Sequence, residues 1–250
     1  MKFARYKVGD QVVYGTLKGD VLSQINTSPF EEWEHTGETN AVDEVKLLAP
    51  CTPEKVFYLG GNYTDHTTPE PPQYPMVYLK MPNAIVGPDD PIILPKGAER
   101  VEEEAELVVV MGKRCKSVSP ESALDYVLGY TCGNDVSGRA WQEQDGGSFW
   151  RAKSSDTFAP IGPCIDTDLD PSAVDIFARV NRKRAQQCNT RDLIFDVPTS
   201  ISFISQTVTL EPGDVIFTGT GGTTVGLNDG DIVEIGIRDI GTLSNPVKTE

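Results

Sequence analysis

Residues 101–113 read VEEEAELVVVMGK, so four glutamates, Glu102, Glu103, Glu104 and Glu106, run straight into an apolar stretch. Taking a carboxylate out of water is costly unless a cation pairs with it, and this stretch has none before Lys113. Either the glutamates face solvent or they hold an ion. On a continuous strand, side chains alternate between faces. Glu102, Glu104 and Glu106 would then share one face, with Glu103 turned to solvent on the other. Carboxylates converging on one face repel each other and suit a hard divalent cation, Mg²⁺ or Mn²⁺, with Ca²⁺ a third candidate. With only two histidines in the chain, zinc is disfavoured. The plain alternative is a charged strand end that discourages edge pairing.

Other segments carry side chains that such a site would need. GYTCGNDVSGRAWQ sets Asp135 close to Arg139 and Gln142, and FWRAKSSDTFAPIGP adds Lys153. FTGTGGTTVG, residues 217–226, lacks the Lys-Ser/Thr ending of a phosphate loop and leads into turn and strand rather than helix. As a turn, its backbone N–H groups and the Thr220 hydroxyl suit a carboxylate. His66 closes GGNYTDH ahead of the proline-rich PEPPQYP, whereas His35 lies in a polar connection and is expected to be exposed.

The elements that must position these groups are mostly strands. KVFYLGGNY, PMVYLK, AELVVVMG, GDVIFTG and DIVEIGI are short β-branched or aromatic runs closed by Gly, Pro, Asn or Asp. The opening MKFARYKVGDQVVYGTLKGDVLSQ alternates apolar runs with Gly-Asp turns, which predicts a small antiparallel sheet; residues 28–50 read as a polar connection. Pro50 and Pro53 mark a boundary, dividing a small N-terminal β subdomain (1–50) from a larger domain (51–250). Helices are few. SPESALDYVLGY offers Ser119 as cap, Pro120 in the first turn and an apolar face of Ala123, Leu124, Val127 and Leu128; PTSISFISQT is a second candidate rich in β-branched residues.

The 37 acidic and 22 basic residues give a formal charge of -15, which argues against nucleic acid or an anionic membrane as partner. Five scattered cysteines without CxxC spacing predict reduced thiols in a cytoplasmic protein, and neither a signal-peptide core nor a membrane-length apolar run occurs.

These segments resemble the fumarylacetoacetate hydrolase family. Its E-x-E-L-x-x-V-x-G-K is matched by Glu104, Glu106, Leu107, Val110, Gly112 and Lys113, and its N-D-x-S-x-R-x-x-Q by Asn134, Asp135, Ser137, Arg139 and Gln142. GGNYTDH, RAKSSDTFAPIGP, NTRDLIF and LEPGDVIFTGT match as well. The resemblance implies a mixed, strand-dominated (α+β) roll or barrel-like core with few short helices, assembled as a homodimer. It also implies Glu104, Glu106 and Asp135 as metal ligands, Lys153 as a polarising or proton-handling group, and Tyr63, Arg139, Gln142 and Thr220 as substrate contacts. His66 and Glu70 would belong to a lid that activates water. Here the chain departs from the family's H-x-x-E: it reads HTTPE, so Pro69 holds the glutamate position and the acid follows as Glu70. Pro69 interrupts a helical turn between them, and Thr68 is placed to cap a helix beginning there.

The chemistry so implied is a divalent metal chelating a 2-oxo acid through its carboxylate and oxo oxygens and stabilising an enolate. Hydrolytic C–C cleavage of a 1,3-diketone of the acylpyruvate type is the leading expectation. Decarboxylation, tautomerisation or isomerisation of a related oxaloacetate-like or 2-hydroxydienoate-like acid is the alternative, and a non-catalytic metal-binding scaffold a second.

Overall fold

The computed structural model describes residues 1–66 and 70–250; the expected helix start at Thr68 and Pro69 lies outside the described residues. The chain opens with β1 (Lys2–Val8), β2 (Gln11–Lys18) and β3 (Val21–Ile25), joined by the Gly-Asp turns as expected. The supposed polar connection instead forms β4 (His35–Ala41) and β5 (Lys46–Leu48). β4 is exposed over most of its length and pairs antiparallel with β3, so it carries no apolar alternation to betray it.

Then follow β6 (Val56–Gly60), β7 (Met76–Lys80), β8 (Ile85–Val86), β9 (Ile92–Leu94), β10 (Val101–Glu102) and β11 (Ala105–Met111). The first helix, α1, spans only Pro120–Ala123, because Val127 and Leu128, expected on its face, instead begin β12 (Val127–Asn134), where Val127 pairs with Met111. β13 (Ser137–Gly138), α2 (Arg139–Gln144), α3 (Trp150–Ser154), β14 (Ala159–Asp166), β15 (Asp175–Val180) and β16 (Lys183–Asn189) come next. α4 (Val197–Thr207) forms despite its β-branched content. Asp196 caps it by accepting from Thr199 N–H at 2.9 Å, and Val197, Ile201 and Ile204 bury one face. β17 (Val215–Phe217), β18 (Ile232–Ile237) and β19 (Gly241–Thr249) complete the chain.

Strand accounts for 44% and helix for 17%, the β-rich class expected, and the sheets stay open rather than closing into a barrel. The large sheet runs β4-β3-β2-β1-β14-β12-β11-β17-β6-β7; a smaller one runs β16-β15-β18-β19-β9. β1 pairs with β14, so the N-terminal meander continues the main sheet. β11 is buried on both sides: Leu107, Val109 and Met111 join one hydrophobic cluster, Val108 and Val110 another. An unbroken apolar run is what a strand covered on both faces requires. It gives the acidic residues at its start a rigid base. Among the described residues, no helix is long and apolar enough to cross a membrane.

Candidate metal centre and cleft

Three carboxylates meet where β11 begins and β12 ends. Glu106 lies on β11, and Glu104 and Asp135 are fastened to each other by backbone. The Glu104 N–H donates to the Asn134 side-chain oxygen (3.0 Å), and the Asp135 N–H donates to the Glu104 carbonyl (3.0 Å). The Ser137 hydroxyl closes the turn by donating to the Asp135 carbonyl at 2.8 Å. The Asn-Asp-x-Ser spacing therefore has a local cause: it holds one carboxylate-bearing residue against another. Glu104, Glu106 and Asp135 are all buried and each offers an oxygen within 4.8 Å of the others. Three converging hard oxygen donors fit a divalent cation such as Mg²⁺ or Mn²⁺.

Basic groups surround the triad. Lys153, on α3, bridges Glu104 (2.7 Å) and Asp135 (2.6 Å). Lys80, at the end of β7, reaches the other Asp135 oxygen at 2.6 Å and donates to the carbonyls of Phe158 (2.9 Å) and Lys153. Arg139 places Nη2 2.5 Å from Glu104. Burial disfavours ionisation of Glu104, yet Lys153 and Arg139 bring its pKa down to about 2. Among the described residues, Glu106 is in no ion pair, and it accepts from the Gly219 N–H at 2.6 Å. Burial, with Asp135 and Glu104 beside it, pushes its pKa well up. Glu106 is thus the carboxylate of the three whose charge a cation would most relieve. Burial lowers the Lys80 pKa despite Asp135, whereas Asp135 and Glu104 overcome burial and raise that of Lys153.

The run of glutamates is not one strand. β10 stops at Glu102 and β11 starts at Ala105, so alternation does not carry across Glu103 and Glu104. Glu103, expected in solvent, is 0% exposed. One of its oxygens accepts from the Val225 N–H at 3.2 Å and the other has no partner among the described residues. Burial pushes its pKa up to about 8, so it is largely protonated at neutral pH. A carboxyl raised in the folded state favours folding below its ordinary pKa, and that contribution is lost as pH rises through about 8, up to roughly 5 kcal/mol in all. In EDTA, Tm is expected to fall between pH 6 and pH 9, and Glu103→Gln to flatten that fall. Equal slopes for both proteins would refute the assignment.

A cleft of about 300 Å³ opens at Glu104, lined by the aromatic and apolar Tyr58, Met76, Tyr78 and Phe149 and by the polar Arg139, Gln142, Lys153, Thr220 and His66. Tyr58 and Tyr78 stack at 5.1 Å, and Lys153 Nζ lies 5.0 Å from the Tyr58 ring centre. Arg139 and Gln142 sit on α2, Nη1 donating to the Gln142 oxygen at 3.1 Å. Thr220 donates to the Ala105 carbonyl (2.9 Å) and accepts from Gln186 Nε2 (2.8 Å). Tyr63 is buried beneath the glycine turn, where a side chain on Gly221 would meet its ring, and does not line the cleft.

His66 Nδ1 lies 3.1 Å from the Gly222 carbonyl, and the Gly222 N–H donates to Asp65 at 3.0 Å. A carbonyl only accepts, so Nδ1 donates to it and proton exchange falls to Nε2. Gly222 has φ +76 and an added Cβ would meet the Gln187 carbonyl at 2.9 Å, so glycine is needed for that carbonyl to be so placed. Glu70 is exposed, beyond the undescribed 67–69. Sequence reasoning missed Lys80, although period-two alternation in PMVYLK sets it on the same face as Met76 and Tyr78. It also missed Gln186, for which the sequence carries no signal.

Fold and site together define a strand-rich enzyme scaffold carrying a buried carboxylate cluster fit for a divalent cation. The chain belongs to the fumarylacetoacetate hydrolase family: the pattern of the fumarylacetoacetate (FAA) hydrolase C-terminal domain matches residues 55–248, and that of the Rv2993c-like N-terminal domain matches residues 1–50. The crystal structure of 5-carboxymethyl-2-hydroxymuconate delta-isomerase from Mycobacterium smegmatis is 42% identical, with a TM-score of 0.94 and full coverage of both chains. A mitochondrial oxaloacetate tautomerase from Xenopus laevis is 41% identical over 81% of this chain and 68% of its own. Maleylpyruvate hydrolase from Sphingobium sp. SYK-6, solved with manganese(II) and pyruvate, is 30% identical, with a TM-score of 0.83, covering 100% of this chain and 99% of its own.

Proposed function

We propose that this protein is a divalent-metal-dependent tautomerase or isomerase of a small 2-oxo acid. The observation that carries this reading is the pair of groups lining the cleft beside Glu104: the Lys153 ammonium and the His66 imidazole, whose Nδ1 proton is held on the Gly222 carbonyl. One acid and one base suffice to move a single proton to and from carbon. The relatives at 41% and 42% identity, a tautomerase and an isomerase, support the same choice.

A divalent ion held by Glu104, Glu106 and Asp135 would supply Lewis acidity toward the substrate's carboxylate and oxo oxygens. His66 Nε2 takes the proton from C3; the C–H electron pair becomes the C2–C3 double bond. The Lys153 ammonium gives a proton to the oxo oxygen, and the enol results; the reverse order yields the ketone. Arg139 and Gln142 hold the carboxylate, the aromatic wall keeps water from the distal end, and Thr220 and Tyr63 support the glycine turn. A cytoplasmic homodimer divided near residue 50, with the site residues all beyond it, is part of the same proposal.

The second reading is C–C hydrolysis of an acylpyruvate, supported by the fold shared with the maleylpyruvate hydrolase and by His66 standing in the cleft. The two are separated by assaying purified protein on oxaloacetate, a 2-hydroxydienoate and an acylpyruvate, each with Mn²⁺ and with EDTA. Enol–ketone exchange or double-bond migration that depends on Mn²⁺, with acylpyruvate intact, is expected. Release of pyruvate from acylpyruvate without acceleration of either isomerisation would make the enzyme a hydrolase, and loss of CO₂ from oxaloacetate a decarboxylase.

A further inference from the structure

Glu102 ligates nothing in the triad, yet it stands where three segments meet. Val101 and Glu102 pair with Gly138 and Ser137 of β13, Glu102 also bridges to Gly226, and the Leu227 N–H donates to the Val101 carbonyl at 2.8 Å. β10 thus ties the segment bearing Asp135 and Arg139 to the one bearing Thr220 and Gly222. Its side chain acts at the same junction. One Glu102 oxygen accepts from Arg139 Nε at 2.7 Å and from the Thr224 hydroxyl at 2.7 Å, and Arg139 Nη2 donates to that hydroxyl at 3.4 Å. The Nε–Nη2 edge of the guanidinium is therefore gripped, with Glu104 also 2.5 Å from Nη2, while among the described residues Nη1 carries the contact to Gln142 at the cleft.

We propose that Glu102, with Thr224, is a positioning residue that holds Arg139 so that its Nη1 edge faces the carboxylate of a bound 2-oxo acid. The proposal rests on the reading above that Arg139 meets that carboxylate. An arginine side chain loses much rotamer freedom when fixed, and a charge-assisted contact to the far edge of the fork removes that freedom before the ligand arrives. Glu102 and Arg139 side chains are 20% and 16% exposed, so the pair is largely shielded from water.

The sign of one effect separates positioning from plain electrostatics. A carboxylate near an anion site repels the anion, so if Glu102 were only an ion-pair partner, deleting it would tighten anion binding. If it positions Arg139, deletion weakens binding. The test titrates the Mn²⁺-loaded full-length protein with oxalate, and in the ligand-free protein follows modification of Arg139 by phenylglyoxal using mass spectrometry. Glu102→Ala is expected to weaken oxalate binding roughly tenfold and to speed Arg139 modification several-fold. Glu102→Gln, which keeps an oxygen acceptor toward Nε, restores most of both, and Thr224→Val shifts both less in the same direction. Unchanged or tighter oxalate binding with an unchanged modification rate in Glu102→Ala overturns the proposal. If Arg139→Ala binds oxalate as the wild type does, the assignment of Arg139 to the carboxylate fails instead, and the modification rate alone decides whether Glu102 positions it.

Discussion

Replacing Glu104 and Glu106 together by alanine is expected to abolish Mn²⁺ binding in isothermal titration and to lower kcat/KM on a 2-oxo acid by roughly 10³-fold or more. The reason is the donor set: three buried carboxylates offer oxygens within 4.8 Å of one another, and two of them would be gone. The double variant also leaves Lys153 and Arg139 without Glu104, so its stability must be measured beside its binding. Glu106→Gln isolates the metal effect. In the metal-free protein the Glu106 carboxyl is held well above its ordinary pKa by burial and its two acidic neighbours, and among the described residues it is in no ion pair. The amide therefore resembles the protonated side chain, and Tm in EDTA should change little while Mn²⁺ affinity drops. The same proton must leave before Glu106 can serve an ion, so affinity in the wild type rises with pH. Undiminished Mn²⁺ binding by the double variant would remove the metal site altogether.

Lys153→Met is expected to cost on the order of 10²–10⁴ in kcat, the range for a lost proton-transfer group. Its ammonium touches Glu104 and Asp135 at 2.7 and 2.6 Å and lines the cleft, so it serves both the ligands and the proposed proton transfer. Without it, Glu104 keeps Arg139 and Asp135 keeps Lys80, but two buried carboxylates lose a shared cation. Removing one partner of such a pair costs about 3–5 kcal/mol. A divalent ion offsets that loss by neutralising the same oxygens. Thermal unfolding with and without Mn²⁺ therefore reads the coupling: the variant's Tm falls in EDTA, and Mn²⁺ raises it by more than it raises the wild type's. An EDTA Tm equal to the wild type's would show that Lys153 and the carboxylates are not coupled.

Much of the fold was legible because strands announce themselves locally. The five apolar runs around the site all became strands, since β-branched and aromatic residues bounded by turn formers suit a pleated, buried surface. The failures share a cause. β4 escaped notice because an exposed edge strand needs no apolar face, and α1 ended early because Val127 gained a partner in Met111. Pairing with a distant strand outweighs local periodicity, and a sequence read in order does not show that partner.

The site divides in the same way. The sequence by itself singled out Glu104, Arg139, Gln142, Lys153, Thr220 and His66, which line the cleft, but not Tyr58, Met76, Tyr78 or Phe149 beside them, because motif spacing, the Asn-Asp-x-Ser turn and the apolar base of β11 are local features that fix local backbone. Only the tertiary structure decided what each acid does. It broke the strand between Glu102 and Ala105, burying Glu103 and turning Glu102 onto Arg139. It brought Lys80 beneath Asp135 and set His66 on the Gly222 carbonyl. The physical reason is range: spacing fixes which way neighbours point, whereas the charge state of a buried carboxyl and the tautomer of an imidazole depend on groups many residues away, which meet only when the sheets pack.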